Sequence, residues 1–186
     1  MKYLKWGLIV LGLLTLLFFL VFRPYMRDQT KKHSPEKVAA FDQGGFDLTV
    51  KYSSPSKKGR KIFGGLVPYD QVWRTGANEP TTFTTGSDIK IGGKTLPSGT
   101  YSLWTIPGID NWTVIFNEDI PDWGVTLLSG GSETARIPEK DVLKVEIPSE
   151  ETKETIENFT IDFKVEQELY MSIAWEKTNV EIPIKR

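Results

Sequence analysis

The polar side chains best suited to recognising a ligand are concentrated between Gly59 and Glu79. Arg74 offers a planar guanidinium that can hold a carboxylate or a phosphate through two parallel hydrogen bonds. Asn78 and Glu79 follow it closely, and their side chains suit sugar hydroxyls or an amine. Nearby tyrosine and tryptophan rings could supply the flat apolar wall that small-molecule pockets usually contain. The predicted ligand-binding residues are Arg60, Tyr69, Trp73, Arg74, Asn78, Glu79 and Tyr101.

The same segment also has a purely structural interpretation. Arg74 and Glu79 could brace a long loop by pairing with each other or with backbone carbonyls, while Trp73 fills the core. A hydrolase that used Glu79 would need a second carboxylate in the same cleft, at roughly 5–10 Å. Three aspartates could supply it, namely Asp70, Asp119 and Asp122. Because no spacing selects among them, the catalytic residues stay unassigned.

Composition excludes several classes of site. The chain has no cysteine, and its single histidine, His33, lies just outside an apolar leader. Disulfides, thiolate nucleophiles, paired-histidine metal sites and a Ser-His-Asp triad are therefore excluded from the body, and we predict no metal and no cofactor. Six of the 23 basic residues but only one of the 24 acidic residues lie within the first 32 positions, which leaves a net charge of −6 on the rest. An acidic body is poorly suited to nucleic acid, whose binding requires neutralisation of phosphates.

The leader predicts a membrane anchor. Trp6 to Phe22 is a run of 17 residues without a charge, and as a helix it spans roughly 25 Å, the short end of a bilayer core. A cleaved signal peptide is the alternative, but it would have an apolar region of about 7–15 residues followed by a small-residue cleavage site. Arg23 and Pro24 follow here instead. We predict a single-pass anchor over residues 1–25, with its helix at about 6–22, and a polar tether over residues 26–45.

The sequence predicts that the elements which position the candidate site are β-strands. Residues 46–52 and 159–165 alternate between apolar and polar side chains, as half-buried strands do. Gly92 and Gly93 mark a hairpin turn, and Gly76 or Asn78 can adopt the positive φ that a turn after Arg74 requires. Short strands between glycine, proline and asparagine signals predict an all-β domain over residues 46–186, an antiparallel β-sandwich or open barrel preceded by one transmembrane helix.

Several strings in this body resemble the bacterial family called domain of unknown function 2911. They are Arg60–Gly64, Leu66–Tyr69, Val72–Glu79, Ile91–Lys94, Leu96–Leu103, Ile106–Gly108, Trp112–Asn117 and Trp123-Gly124. The resemblance runs from about residue 46 to the C-terminus and implies an exported β-rich domain. It implies no activity, because the family has no established substrate, cofactor or catalytic residue. One departure is Pro80, where relatives are expected to carry a small residue.

These observations lead to one expectation and two alternatives. We expect a non-enzymatic, membrane-tethered β domain that binds a small polar ligand or an envelope protein. Many relatives carry a cleavable leader, so we expect the domain on the extracytoplasmic, periplasmic side, although the basic residues after the apolar run favour the cytoplasm. The alternatives are a hydrolase acting on glycans or another envelope polymer through Glu79, and a purely structural envelope module.

Overall fold

The protein forms two compact units that divide between His33 and Ser34. The structure, a computed structural model, describes residues 2–126 and 133–186. The first unit is helical and the second is built from β-strands. We describe each unit by itself.

The N-terminal unit is one long helical segment. It consists of α1 (Lys2–Leu17), a π turn (Phe18–Phe22) and α2 (Arg23–His33). The π turn ends two residues before Pro24, whose ring does not fit a regular helix interior. The helix from Tyr3 to His33 is long and apolar enough to cross a membrane. It therefore extends eleven residues beyond the predicted end at Phe22.

Nine antiparallel strands make one open sheet, in the order β1-β2-β3-β6-β7-β8-β9-β4-β5. The strands are β1 (Glu36–Phe41), β2 (Leu48–Ser53), β3 (Thr81–Thr85), β4 (Ile89–Ile91), β5 (Lys94–Leu96), β6 (Gly99–Ile106), β7 (Asn111–Asn117), β8 (Asp141–Val165) and β9 (Leu169–Lys185). The predicted all-β fold with one N-terminal helix is confirmed. The predicted hairpin turn joins β4 to β5, and both of its glycines, Gly92 and Gly93, have positive φ.

The long strand β8 closes the sheet over one core. Its first part pairs with β7, and from Ser149 onward it pairs with β9. Register shifts bend the strand on both sides of Ile156. The bend brings β8 back to β2, where the Tyr52 hydroxyl donates to the Ile161 carbonyl at 3.2 Å. The Tyr52 and Phe159 rings meet edge to face at 5.7 Å, so β2 and the later part of β8 face a common apolar interior.

The region predicted as a polar tether contains regular structure. Residues 23–33 continue the helix, and Glu36–Phe41 form the edge strand β1. In β1 only Ala39 is buried, so the alternation that identifies a half-buried strand is absent from its sequence. Backbone pairing with β2, from Glu36 opposite Ser53 to Phe41 opposite Leu48, holds the strand in place. The β unit accordingly begins at Ser34.

Candidate functional site

The turn that carries Arg74 is attached to β6 at Trp73. The Trp73 amide donates to the Thr105 carbonyl at 2.7 Å, and the Thr105 amide donates back to Trp73 at 3.0 Å. Successive side chains of an extended segment point to opposite faces. Because the Trp73 ring lies in the core, Arg74 is directed to the outer side of the sheet.

Local hydrogen bonds hold the turn in an unusual backbone conformation. Thr75, Gly76 and Asn78 have φ values of 55°, 144° and 61°. Both positions predicted for positive φ adopt it, and Thr75, a branched residue that rarely does so, joins them. The Thr81 hydroxyl donates to the Thr75 carbonyl at 2.6 Å, and the Trp73 indole donates to the Gly76 carbonyl at 3.2 Å. Thr75 is fully buried, so the turn presents its polar side chains from a rigid base.

Gly124 lies flat against this turn. A Cβ at this position would stand 2.5 Å from Arg74 Cδ and 3.0 Å from Arg74 Cβ. The Gly124 amide donates to the Asn78 carbonyl at 3.0 Å. The backbone near Gly124 therefore packs on the aliphatic stem of Arg74, and only glycine allows so close an approach.

Arg74 and Asn78 each contain a buried donor without a partner. Arg74 Nε and Asn78 Nδ2 are shielded from solvent, and neither forms a hydrogen bond. Among the residues that the structure describes, none forms a hydrogen bond or an ion pair with the Arg74 side chain. Burial lowers the pKa of Arg74 below its usual value, with no neighbouring acid to offset the effect. More than nine in ten buried polar groups in proteins are paired, so these two donors are exceptions, as are Ser87 Oγ, Trp112 Nε1 and Arg136 Nε among the described residues.

Glu79 lies at a different feature, an open groove on the β domain. The groove has a volume of about 180 Å³, and Glu36 and Glu79 both line it. The remaining lining residues are Lys51, Tyr52, Ser53, Pro80 and Thr82. Glu36 stands opposite Ser53 in the pairing of β1 with β2. Glu36, a carboxylate that the sequence analysis did not consider, therefore lines the same groove as Glu79.

Trp73 belongs to a cluster of aromatic rings in the core. Its ring stacks on Trp175 at 6.1 Å with an interplanar angle of 16°. Phe159 meets it edge to face at 5.2 Å, as do Phe63 and Trp112 at 6.0 and 6.2 Å. The structure thus places this predicted wall residue where it anchors the turn to the interior.

Arg60 and Tyr69 lie on the loop that precedes the turn. Arg60 is exposed, and its guanidinium donates to the Lys57 and Ser56 carbonyls at 2.9 and 2.6 Å. The Tyr69 ring covers Gly64, where a Cβ would stand 2.6 Å from it. Both side chains thus have contacts within their own loop.

Tyr101 is remote from the turn. It is buried, and its hydroxyl donates to the Pro97 carbonyl at 2.9 Å. Thr105, which pairs with Trp73, lies four residues further along β6, a separation of roughly 13 Å at about 3.3 Å per residue. Of the seven predicted residues, two meet Gly124: Arg74 through its aliphatic stem and Asn78 through its backbone carbonyl.

Two residues of these sites escaped the sequence analysis. Gly124 is 50 positions from Arg74, and the only signal for it was its place in one of the strings that resemble the family. Glu36 lay in the predicted tether, and no signal identified it. Within residues 2–126 and 133–186, no group of three or more histidine, aspartate or glutamate side chains is placed to hold a metal ion.

Comparison with known proteins identifies a family and no activity. Residues 34–184 match the family described as Protein of unknown function (DUF2911). No curated protein and no solved structure matches the chain. The match begins at Ser34, where the β unit also begins, and it confirms the resemblance found in the sequence. Because the match covers most of the chain, this protein belongs to the DUF2911 family of proteins of unknown function.

Proposed function

We propose that the β domain is a non-enzymatic binding module that takes a small polar ligand at Arg74 and Asn78. The observation that carries this proposal is the pair of buried donors, Arg74 Nε and Asn78 Nδ2, that lack a partner. A ligand that supplies acceptors would satisfy both. A side chain of an envelope protein could present the same acceptors.

The free-energy cost of an unpaired donor favours a ligand-binding role for Arg74 over a structural role in the loop. A buried polar group left without a partner costs about 1–3 kcal/mol, and an uncompensated buried charge costs more. A bracing arginine would regain this free energy through bonds to Glu79 or to carbonyls, and Arg74 has no such bond within the described residues. Its stem packs on Gly124, but packing does not require a guanidinium. Without ligand, the domain thus bears the free-energy cost of an unpaired Arg74 donor, and a ligand that supplies an acceptor would remove that cost.

A panel of small compounds tests the proposal. We would purify the full chain in an uncharged detergent and measure the melting temperature of the β domain with carboxylates, phosphates, sugars and amines. The matched variant is Arg74→Met, which keeps a stem against Gly124 and removes every guanidinium donor. We expect at least one compound to raise the melting temperature of the wild type and not that of the variant. If every compound affects the two proteins equally, the binding site is not at Arg74.

We further propose that the helix tethers this domain to a membrane, with the β domain on the extracytoplasmic side. The length and apolar composition of the helix support the tether, and the family resemblance supports export. Alkaline phosphatase folds into an active enzyme outside the cytoplasm, so its fusion after Arg186 should be active. An inactive phosphatase fusion, together with a fluorescent cytoplasmic reporter fused at the same position, would place the domain inside.

A glycan hydrolase is the second candidate, because Glu36 and Glu79 line one groove. In such enzymes one carboxylic acid protonates the leaving oxygen while the other carboxylate activates water or attacks the sugar. We would incubate the full chain with purified peptidoglycan and with soluble glycans, and measure newly released reducing ends. Activity lost in both Glu36→Gln and Glu79→Gln would support this candidate. Release that neither substitution changes, or no release at all, would eliminate it.

A further inference from the structure

Resting on the proposed function, we infer that the group recognised at Arg74 and Asn78 is an oxyanion, a carboxylate or a phosphoryl group, held by one edge of the guanidinium. The edge is the one that includes Nε. Asn78 Nδ2, which lies on the same turn, supplies a further unpaired donor.

The hydrogen-bonding character of the unpaired atoms supports this inference. Arg74 Nε and Asn78 Nδ2 are the two buried atoms without partners in this turn, and both are donors. A guanidinium has five N–H donors and no acceptor. The complementary group must therefore present several acceptor atoms close together. Carboxylates and phosphoryl groups do so, whereas an ammonium group has none and a hydroxyl has a single oxygen.

The charge of the site supports an anion over a neutral acceptor. Among the described residues, Arg74 has no acidic partner, and desolvation is the one resolved influence on its pKa. A single negative charge brought to the guanidinium would compensate a positive charge that is partly desolvated. Hydrogen bonds between charged partners are roughly twice as strong as neutral ones, so an anion gains more here than an amide or a sugar.

The position of Nε determines how the anion approaches. An anion bound only to the terminal nitrogens would leave Nε buried and unpaired. A side-on contact engages Nε together with one terminal nitrogen, in the two-bond geometry that carboxylates and phosphates adopt with arginine. The Arg74 side chain is partly exposed as a whole, so the rest of the ligand extends toward solvent. Because Gly124 covers the stem near Nε, binding requires a small displacement at that contact.

Two charge-changing variants test side-on recognition. Arg74→Lys keeps the positive charge and loses the planar fork, so we expect the affinity for the anion to fall at least tenfold. Asn78→Asp puts a carboxylate on the same turn as the guanidinium, as a potential internal ligand, and aspartate tolerates positive φ. We expect this variant to melt at a higher temperature than the wild type and to lose anion binding. If Arg74→Lys binds anions as tightly as the wild type, the charge alone acts and the side-on geometry is wrong.

The probes are sodium acetate, inorganic phosphate and methylphosphonate, each compared with sodium chloride at equal ionic strength, using the full chain in an uncharged detergent. Calorimetry should detect binding of at least one probe beyond chloride. Acetate alone identifies a carboxylate, and the two phosphorus compounds alone identify a phosphoryl group. Arg74-dependent binding of neutral N-acetylglucosamine in the absence of any anion binding would overturn the inference and leave the proposed function standing. If no compound binds in an Arg74-dependent way, both are overturned.

Discussion

Trp73 and Arg74 are neighbours in the chain and lie in opposite physical environments. The Trp73 ring contacts four other aromatic rings, and its indole N–H donates to a carbonyl. The buried Nε of Arg74, one residue later, has no partner at all. Within one turn, therefore, the Trp73 side chain makes stabilising contacts while two polar donors, Arg74 Nε and Asn78 Nδ2, stay unpaired.

The largest expected effect comes from removing the inner anchor. Trp73→Ala should lower the free energy of unfolding by about 3 kcal/mol, because a large, partly buried ring that packs against the core leaves a cavity among its neighbours. Urea denaturation followed by circular dichroism measures this change. Trp73→Phe is the control. It retains an aromatic ring but loses part of the side-chain volume and the hydrogen bond from the indole to the Gly76 carbonyl. If Trp73→Ala costs less than about 1 kcal/mol, the ring does not stabilise the fold as the contacts imply.

The contact between Gly124 and the Arg74 stem can be tested by substitution. Gly124→Ala should lower the free energy of unfolding by about 1–3 kcal/mol, because the added methyl overlaps the Arg74 stem. Combining it with Arg74→Ala removes the overlapped Cδ. The double variant should therefore lose less stability than the sum of the two single variants, as a double-mutant cycle measures. Simple additivity would mean that the two residues do not contact each other in solution.

The variant Arg74→Met tests most directly whether Arg74, unlike Trp73, contributes nothing to stability. If Arg74 serves binding, the free energy of unfolding should stay the same or rise by about 1 kcal/mol without ligand, since a buried unpaired donor is removed and the stem is kept. If Arg74 is a structural brace, the same variant should lose roughly 1–3 kcal/mol. Urea titrations of the two proteins, carried out side by side, separate these outcomes.

The smallest expected effect is at Asn78. Asn78→Gly should change the free energy of unfolding by no more than about 0.5 kcal/mol, because glycine adopts positive φ without strain and no side-chain bond is lost. Asn78→Ala should cost about 1 kcal/mol more, since a Cβ strains this conformation. Equal stability of the two variants would contradict the turn geometry.

Local features of the fold were predictable from the sequence, and contacts between distant segments were not. The Gly92-Gly93 hairpin and the positive φ at Gly76 and Asn78 depend on a few adjacent residues. The edge strand β1 escaped prediction because a strand with a single buried side chain has no alternating pattern. Its place is set by pairing with β2.

The candidate site shows the same limit. Arg74 and Asn78 were predictable as residue types suited to a polar ligand. Arg74 and Glu79 could equally have paired with each other, and no local rule decides between pairing and separation. The long-range contacts decide it, since Gly124 packs on Arg74 and Glu79 lines a groove with Glu36.

The amino-acid sequence alone determined the chemistry that this protein can use. It excludes cysteine and paired-histidine sites, provides one apolar helix, and contains the alternation and turn residues of a β domain. The tertiary structure alone decided which polar groups are satisfied. Burial and hydrogen bonding depend on atoms brought together from distant positions, and whether the Arg74 guanidinium finds a partner is a property of that packing.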